Sequence, residues 1–450
     1  MIEQRREVDR TSFALTGRPG LTAFVTTLGG NTTRGMWAVN TTSTPFLFVV
    51  QSGTLYSINN AGVTSVIGMI GTTTGDVSMA DDGTYLVLVD GAKGYYYNMV
   101  TPAGLNAIVD ANFTTTPKYV TWQDTYFIVT SGATNQFQLS NNADPTTWPA
   151  VNIAFSGSAP GPLQAGIADH SVLNIFGQDY AEFWQDAGTP DFPYAVIPGS
   201  AQTFGLVSAW SLAQYDNSIA GVFGSKEAAR IVARVSGFNL KKISDHDIDE
   251  ILGGYSTVAD ARGGAFNVGG HPLYLMNLPT AGASWAFDGL SHGWSEWQAT
   301  DGTRFWGEKF ARFQNRLCVS DRRNGNIYQL DNAVYTDNGS MLPMEVVSKH
   351  IWKDDKYLAI ENLQIDVESG VGLVSGQGVN PQIDLLVSKD GGNTFRSVGF
   401  SSIGAIGAFT QRVFWRSLGA ARDWVLKLRI TDPVKRVITG ASAEIQVGAF

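Results

Sequence analysis

The feature that most limits what this chain can fold into is a loosely repeated pair of strands joined by a Gly-containing turn, often with a Trp soon after. Its first copy reads Phe46-Leu-Phe-Val-Val-Gln-Ser-Gly-Thr-Leu-Tyr-Ser-Ile58, and related forms recur near Tyr85, Tyr126, Val172, Ile219, Leu273 and Leu317. A hairpin this short cannot cover its own apolar face, so successive copies must pack on one another, and a spacing of roughly 40 to 50 residues is that of a propeller blade. The seven candidate starts predict six or seven blades, because one strand pair can belong to a neighbouring blade or act as a closing strand.

Turn chemistry supports the same reading. Ser52-Gly53, Asp90-Gly91, Ser131-Gly132 and Gly177-Gln178 interrupt β-rich runs, and Asn324-Gly325 does so in the last clear copy, residues 315–330. Fifty glycines, with many Thr, Val, Tyr and Phe, suit numerous short strands and leave helix a minority. A single short helix is expected after Ser244, the N-cap in this reading, with acidic residues in its first turn and Gly253-Gly254 as its stop. Near Met341 the repeat spacing fails. Five strand-like segments follow (360–367, 382–387, 411–415, 424–431 and 443–447), together with a Gly-rich stretch, 370–378, read as a mobile loop.

The fold class is therefore all-β: a β-propeller over residues 1–340, including an N-terminal strand segment, followed by a small β-sandwich or barrel over residues 341–450.

No run approaches the ~20 apolar residues of a membrane span, and the charged first ten residues are not followed by the apolar core of a secretory signal. Cys318 is alone, which makes a packed thiol and a reducing compartment the default. Residues 341–450 carry 12 Lys/Arg and 11 Asp/Glu of the 31 and 40 in the chain, so the first 340 sum to 19 minus 29, or −10. An acidic main domain disfavours tight nucleic-acid binding.

Motifs for chemistry are sparse. Five scattered histidines have no metal-ligand spacing, and neither a Walker loop nor a nucleophile elbow occurs. The acidic run Asp245–Glu250 lacks the Gly and Glu of an EF-hand loop and reads as a solvated helix start. Phe183-Trp184, Trp294 with Trp297, and Phe305-Trp306 suit packing between blades, with a sugar groove as the alternative. Ser388, Asp390, Gly392, Thr394 and Phe395 match the Asp-box of sialidase-like propellers, a turn in which the carboxylate holds amides and Phe395 anchors the loop in the core. That box is structural. A local excess of basic residues near the end, Arg412, Arg416, Arg422, Arg429, Lys435 and Arg436 among them, is read as a subunit interface facing the acidic surface of a neighbour. No cofactor or metal is called for.

Taken in order, Gly17–Leu21, Ser52–Tyr56, Ser140–Trp148, Lys242–Asp249, Ser388–Phe395 and Leu426–Pro433 make the chain resemble the packaged-DNA stabilisation, or tail hub and nozzle, proteins of short-tailed bacteriophages (podoviruses). The Lys242–Asp249 piece departs from the family pattern in having Asp245 before the histidine.

The resemblance implies a non-enzymatic virion tail protein assembled in the cytoplasm of the infected bacterial host. It would be a hexameric homo-oligomer below the portal and adaptor that extends the channel for double-stranded DNA and holds it without sequence specificity. Its partners would be the portal-adaptor (connector) proteins, a tailspike or tail fibre, and a tail needle or plug. An acidic lumen suits such a conduit, because few phosphates are neutralised and the duplex slides. The alternative from another class is a carbohydrate-binding or carbohydrate-active, sialidase-like propeller.

Overall fold

The computed structural model describes residues 2–4, 13–26, 28, 30–40, 44–157, 161–189, 192–224 and 230–448. The chain forms two compact units. One comprises Ala23–Gln298 and Thr303–Gln329; the other gathers the described residues of Met1–Thr22, Ala299–Gly302 and Leu330–Phe450.

The first unit is a propeller of seven antiparallel blades, spanning residues 33–69, 78–107, 117–155, 163–196, 205–242, 262–296 and 307–329. Each repeated hairpin supplies the second and third strands of one blade, as Phe46–Gln51 and Thr54–Ile58 do in blade 1. Second strands such as Tyr85–Val89 and His271–Leu278 are buried almost throughout because both of their faces meet a neighbouring blade. Blade 5 departs from the pattern: Gly205–Leu206 and Ala213–Tyr215 both pair with Ser218–Gly224.

Blade 7 takes its fourth strand from the start of the chain. Residues 23–25 of the strand Gly20–Val25 lie beside Ile327–Asp331, and Val25 packs with Leu47, Val49, Phe313, Cys318 and Ile327 in one buried cluster. Such closure leaves no free inner edge.

The turns repeat a device that hairpin spacing alone does not reveal. In blade 2, Asp90 Oδ1 accepts from the amides of Ala92 and Lys93, while Oδ2 accepts from the Thr72 hydroxyl. In blade 7, Asp321 accepts from the Arg323 amide and the Tyr328 hydroxyl. One carboxylate thus closes a turn and ties it to a neighbouring segment.

The aromatic pairs are packing material: Phe183, Trp184, Trp297, Phe305 and Trp306 are buried, and only Trp294 is half-exposed. The helix runs His246–Gly254, but its cap is Asp245, whose carboxylate accepts from the Ile248 amide at 2.9 Å. Ser244 is used otherwise: its hydroxyl accepts from the Val232 amide and donates to Asp249. Both glycines expected to stop the helix lie inside it.

The second unit is a β-sandwich rather than a barrel. One sheet has the order Ile2–Gln4, Phe13–Thr16, Val437–Val447, Leu358–Val367, Val413–Ala421; the other runs Met344–Val347, Asp423–Ile430, Gln382–Ser388, Arg396–Ser402. Alternation in Leu426-Lys-Leu-Arg-Ile430 buries the aliphatics and leaves Lys427 and Arg429 half-exposed. Trp424, fully buried, donates its indole N–H to the Leu358 carbonyl at 2.9 Å. Phe13–Thr16 pairs with Val437–Ile438, so this sandwich includes a strand from the far end of the sequence. The Gly-rich stretch is hydrogen-bonded rather than loose: the Leu373 amide meets the Gly378 carbonyl, and the Gly407 amide meets that of Gly370.

Candidate functional site

The Asp-box is a hairpin of the sandwich between Gln382–Ser388 and Arg396–Ser402. Gly391 and Gly392 both have positive φ there, 71° and 88°, as this tight reversal requires. Ser388 donates to Asp390 Oδ1 at 2.6 Å and accepts from the Gly392 amide at 2.9 Å. Asp390 also receives the Thr394 amide at 2.9 Å and the Thr394 hydroxyl at 2.6 Å. These bonds, that from Ser388 first, hold the Asp390 carboxyl down to about 2. Its lone pairs are committed to the turn. Phe395 does not anchor the loop in the core: it is half-exposed, with the Lys427 ammonium 4.4 Å from its ring centre.

The six basic residues expected at an interface do not form one patch. Arg412 and Arg416 are exposed on the outer face of the first sheet with Phe414 between them, and the Arg416 guanidinium lies 4.9 Å from the Phe414 ring centre. Residues Asn362, Gln364, Ser442 and Glu444 complete a shallow hollow of about 420 Å³ around them. Arg422 is exposed and stacks on Tyr357 beside His350, Trp352 and Asp423. Arg429 bonds Glu345 at 2.5 Å in the other sheet, and exposed Lys435 bonds Glu368 at 2.8 Å.

Arg436 is inside, at 3% exposure, and gives Nη1 to the Leu342 carbonyl next to the Arg18–Asp337 pair. Burial first, and the like charge of Arg18 second, bring its pKa down to about 10. A side chain so enclosed offers no surface to a partner.

A second group of exposed residues escaped the sequence reading because the residues are apolar and separated in the chain. Val374, Phe400, Ile406 and Phe409 are 84%, 67%, 63% and 75% exposed. The Ser369 hydroxyl bonds the Phe409 carbonyl, drawing the stretch after residue 369 toward the Ile406–Phe409 stretch. The backbone at Gly370 and Gly372 lies against Phe409 and the Ala405–Ile406 backbone, and large exposed apolar side chains of this kind are candidates for contact with another protein.

Two family models match the chain in order: "Bacteriophage P22 Gp10, beta-propeller" over residues 1–335 and "Bacteriophage P22 Gp10, beta-sandwich" over residues 343–446. The chain belongs to the P22 Gp10 family. As a Gp10 relative it is a structural phage protein, a virion component of the tail. No curated protein matches it. Among solved structures, the WD40 propeller domain of Doa1 is 11% identical with a TM-score of 0.44, the match covering 69% of this chain and 97% of that one. Virginiamycin B lyase from Staphylococcus aureus is 8% identical with a TM-score of 0.46, covering 71% and 98%. At those scores neither likeness bears on the function of this Gp10-family chain.

Proposed function

We propose that the protein is the hub, or nozzle, of a short phage tail. Copies form a ring, expected to be a hexamer, below the portal and adaptor; the ring extends the DNA channel, helps retain the packaged genome, and docks tailspikes or fibres and a needle or plug. The protein is made and assembled in the infected cell's cytoplasm and acts mechanically rather than as an enzyme. The observation that carries this reading is the ordered match of both Gp10 family domains across nearly the whole chain.

The interior of the propeller adds a physical reason for a ring. Around its axis, Lys309 bonds Asp76 at 2.7 Å and Arg262 bonds Asp76 at 3.0 Å, while Lys309 also sits 5.3 Å from the Trp210 ring, which packs on Tyr119. An axis filled by side chains passes no duplex, so a conduit has to be enclosed by several copies. The exposed apolar group and the Arg412–Phe414–Arg416 face supply surface for contacts between subunits or with other tail proteins.

Native mass measurement and electron microscopy of the purified protein, alone and with a portal-adaptor complex, test the proposal. An axial ring in either sample is the expected result. A monomer in both, or turnover of glycans by the monomer, sinks it.

A further inference from the structure

We infer that the propeller holds a small tetrahedral oxyanion, of the phosphate class, in a charged cavity at one mouth of its axis. The cavity, of about 290 Å³, is lined by four arginines, Arg34, Arg262, Arg304 and Arg322, against two carboxylates, Asp76 and Glu308. Arg262 comes from the start of the innermost strand of blade 6 and Glu308 from that of blade 7; Arg34 occupies the same position in blade 1. First strands in a propeller run alike about the axis, so their starts converge at one mouth.

Partners are shared unequally in this cluster. Arg262 gives Nη1 to Glu308 and Nη2 to Asp76, and its Nε is buried with no acceptor among the described residues. Arg304 gives Nη1 to the other oxygen of Glu308 at 2.6 Å. Arg34 is turned to backbone oxygens, those of Ser52, Thr72, Thr74 and Gly75 at 2.5 to 2.7 Å. Behind these stand Lys309, bonded to Asp76, and Asp90, whose charge acts on Arg34. Adding one cation and one anion leaves the excess at two positive charges.

Such an excess is notable because it is enclosed and because the region around it is acidic. Arg34 and Arg304 are 6% and 8% exposed and the Arg262 side chain 29%, with Arg322 half-exposed at the opening, and the first 340 residues sum to −10. Surplus positive charge out of water is costly unless an anion compensates it. Guanidinium forks match the paired oxygens of a phosphate, and the exposed side chain of Thr73 adds a hydroxyl donor. The cavity volume, about ten times that of one water in the liquid, admits a free phosphate or phosphomonoester and excludes a duplex.

The experiment is a titration of the whole protein with inorganic phosphate, read by calorimetry and thermal melting in a buffer free of other oxyanions and at constant ionic strength. Saturable binding and a raised melting temperature are expected. Affinity should fall about tenfold or more in Arg304→Gln, and likewise in Arg322→Gln, whose half-exposed side chain also bonds the Phe305 and Arg304 carbonyls, with circular dichroism checking that each variant is folded. Lys435→Gln, on the sandwich, should bind as the parent does. Absence of binding at roughly 1 mM phosphate, binding by both cavity variants as tight as the parent's, or binding of acetate or duplex DNA in place of phosphate overturns the inference. The readout needs no ring, so its failure is distinct from failure of the tail-hub reading.

Discussion

At the scale of single residues, side chains that look chemically suggestive in the sequence are occupied by structural work. Asp390 is the clearest case. Its carboxyl titrates at about 2 when folded against 3.8 ordinarily, so the folded state favours the ionised form. A depressed pKa contributes stability that is present above the unfolded value and lost as pH falls through the folded one. Asp390→Asn should therefore flatten part of the acid limb between about pH 4 and pH 2, read as the pH dependence of the unfolding midpoint; an unchanged limb would show that the turn hydrogen bonds do not persist in solution. Cys318 behaves as its strand setting suggests: burial pushes the thiol up to about 12. Native protein should resist alkylation at neutral pH, and denatured protein should react fully, as mass spectrometry would count. What the sequence hid at this scale was enclosure. Arg436 and Lys435 are adjacent and alike in type, yet one is inside and the other outside, because both lie in irregular backbone just before the strand Val437–Val447, where no period in the sequence fixes which side chain turns inward.

Individual elements were more legible, and for a reason that lies in packing. All seven repeated hairpins are real, since each second strand is an apolar run flanked by turn residues and packed on both faces. Less visible were the outer strands, such as Asn106–Ala107 and Tyr194–Val196, which at two and three residues are too short to leave a pattern. The junction of blades 4 and 5 depends on a glycine: a Cβ on Gly205 would lie 2.2 Å from the Gln178 backbone. Gly205→Ala should cost about 1 to 3 kcal/mol in denaturant unfolding, through displaced backbone rather than altered φ. In the sandwich, Trp424→Ala removes one of the two tryptophans of the core, the fully buried one, and its bond to Leu358, and should cost about 3 to 5 kcal/mol. Comparable loss from an exposed position such as Trp352→Ala would contradict this account of the core.

At the scale of the whole molecule, order along the chain is not order in space. The sandwich recruits Phe13–Thr16 at its Val437–Ile438 edge, a long-range pairing for which strand patterns over residues 341–450 contain no sign. A fragment of residues 330–450 should accordingly melt below one carrying residues 1–22 through a linker; equal melting temperatures would show that strand to be dispensable. Residues 23–25 likewise complete the last propeller blade. The ribosome makes that strand early, whereas its partner, Ile327–Asp331, comes only after every other blade. Until then the nascent circle is open, with an unpaired edge and no complete seventh wedge. A prematurely terminated chain can never close, and so cannot present a finished subunit to a growing particle. Synthesis itself thereby acts as a length check on the material from which the tail is built.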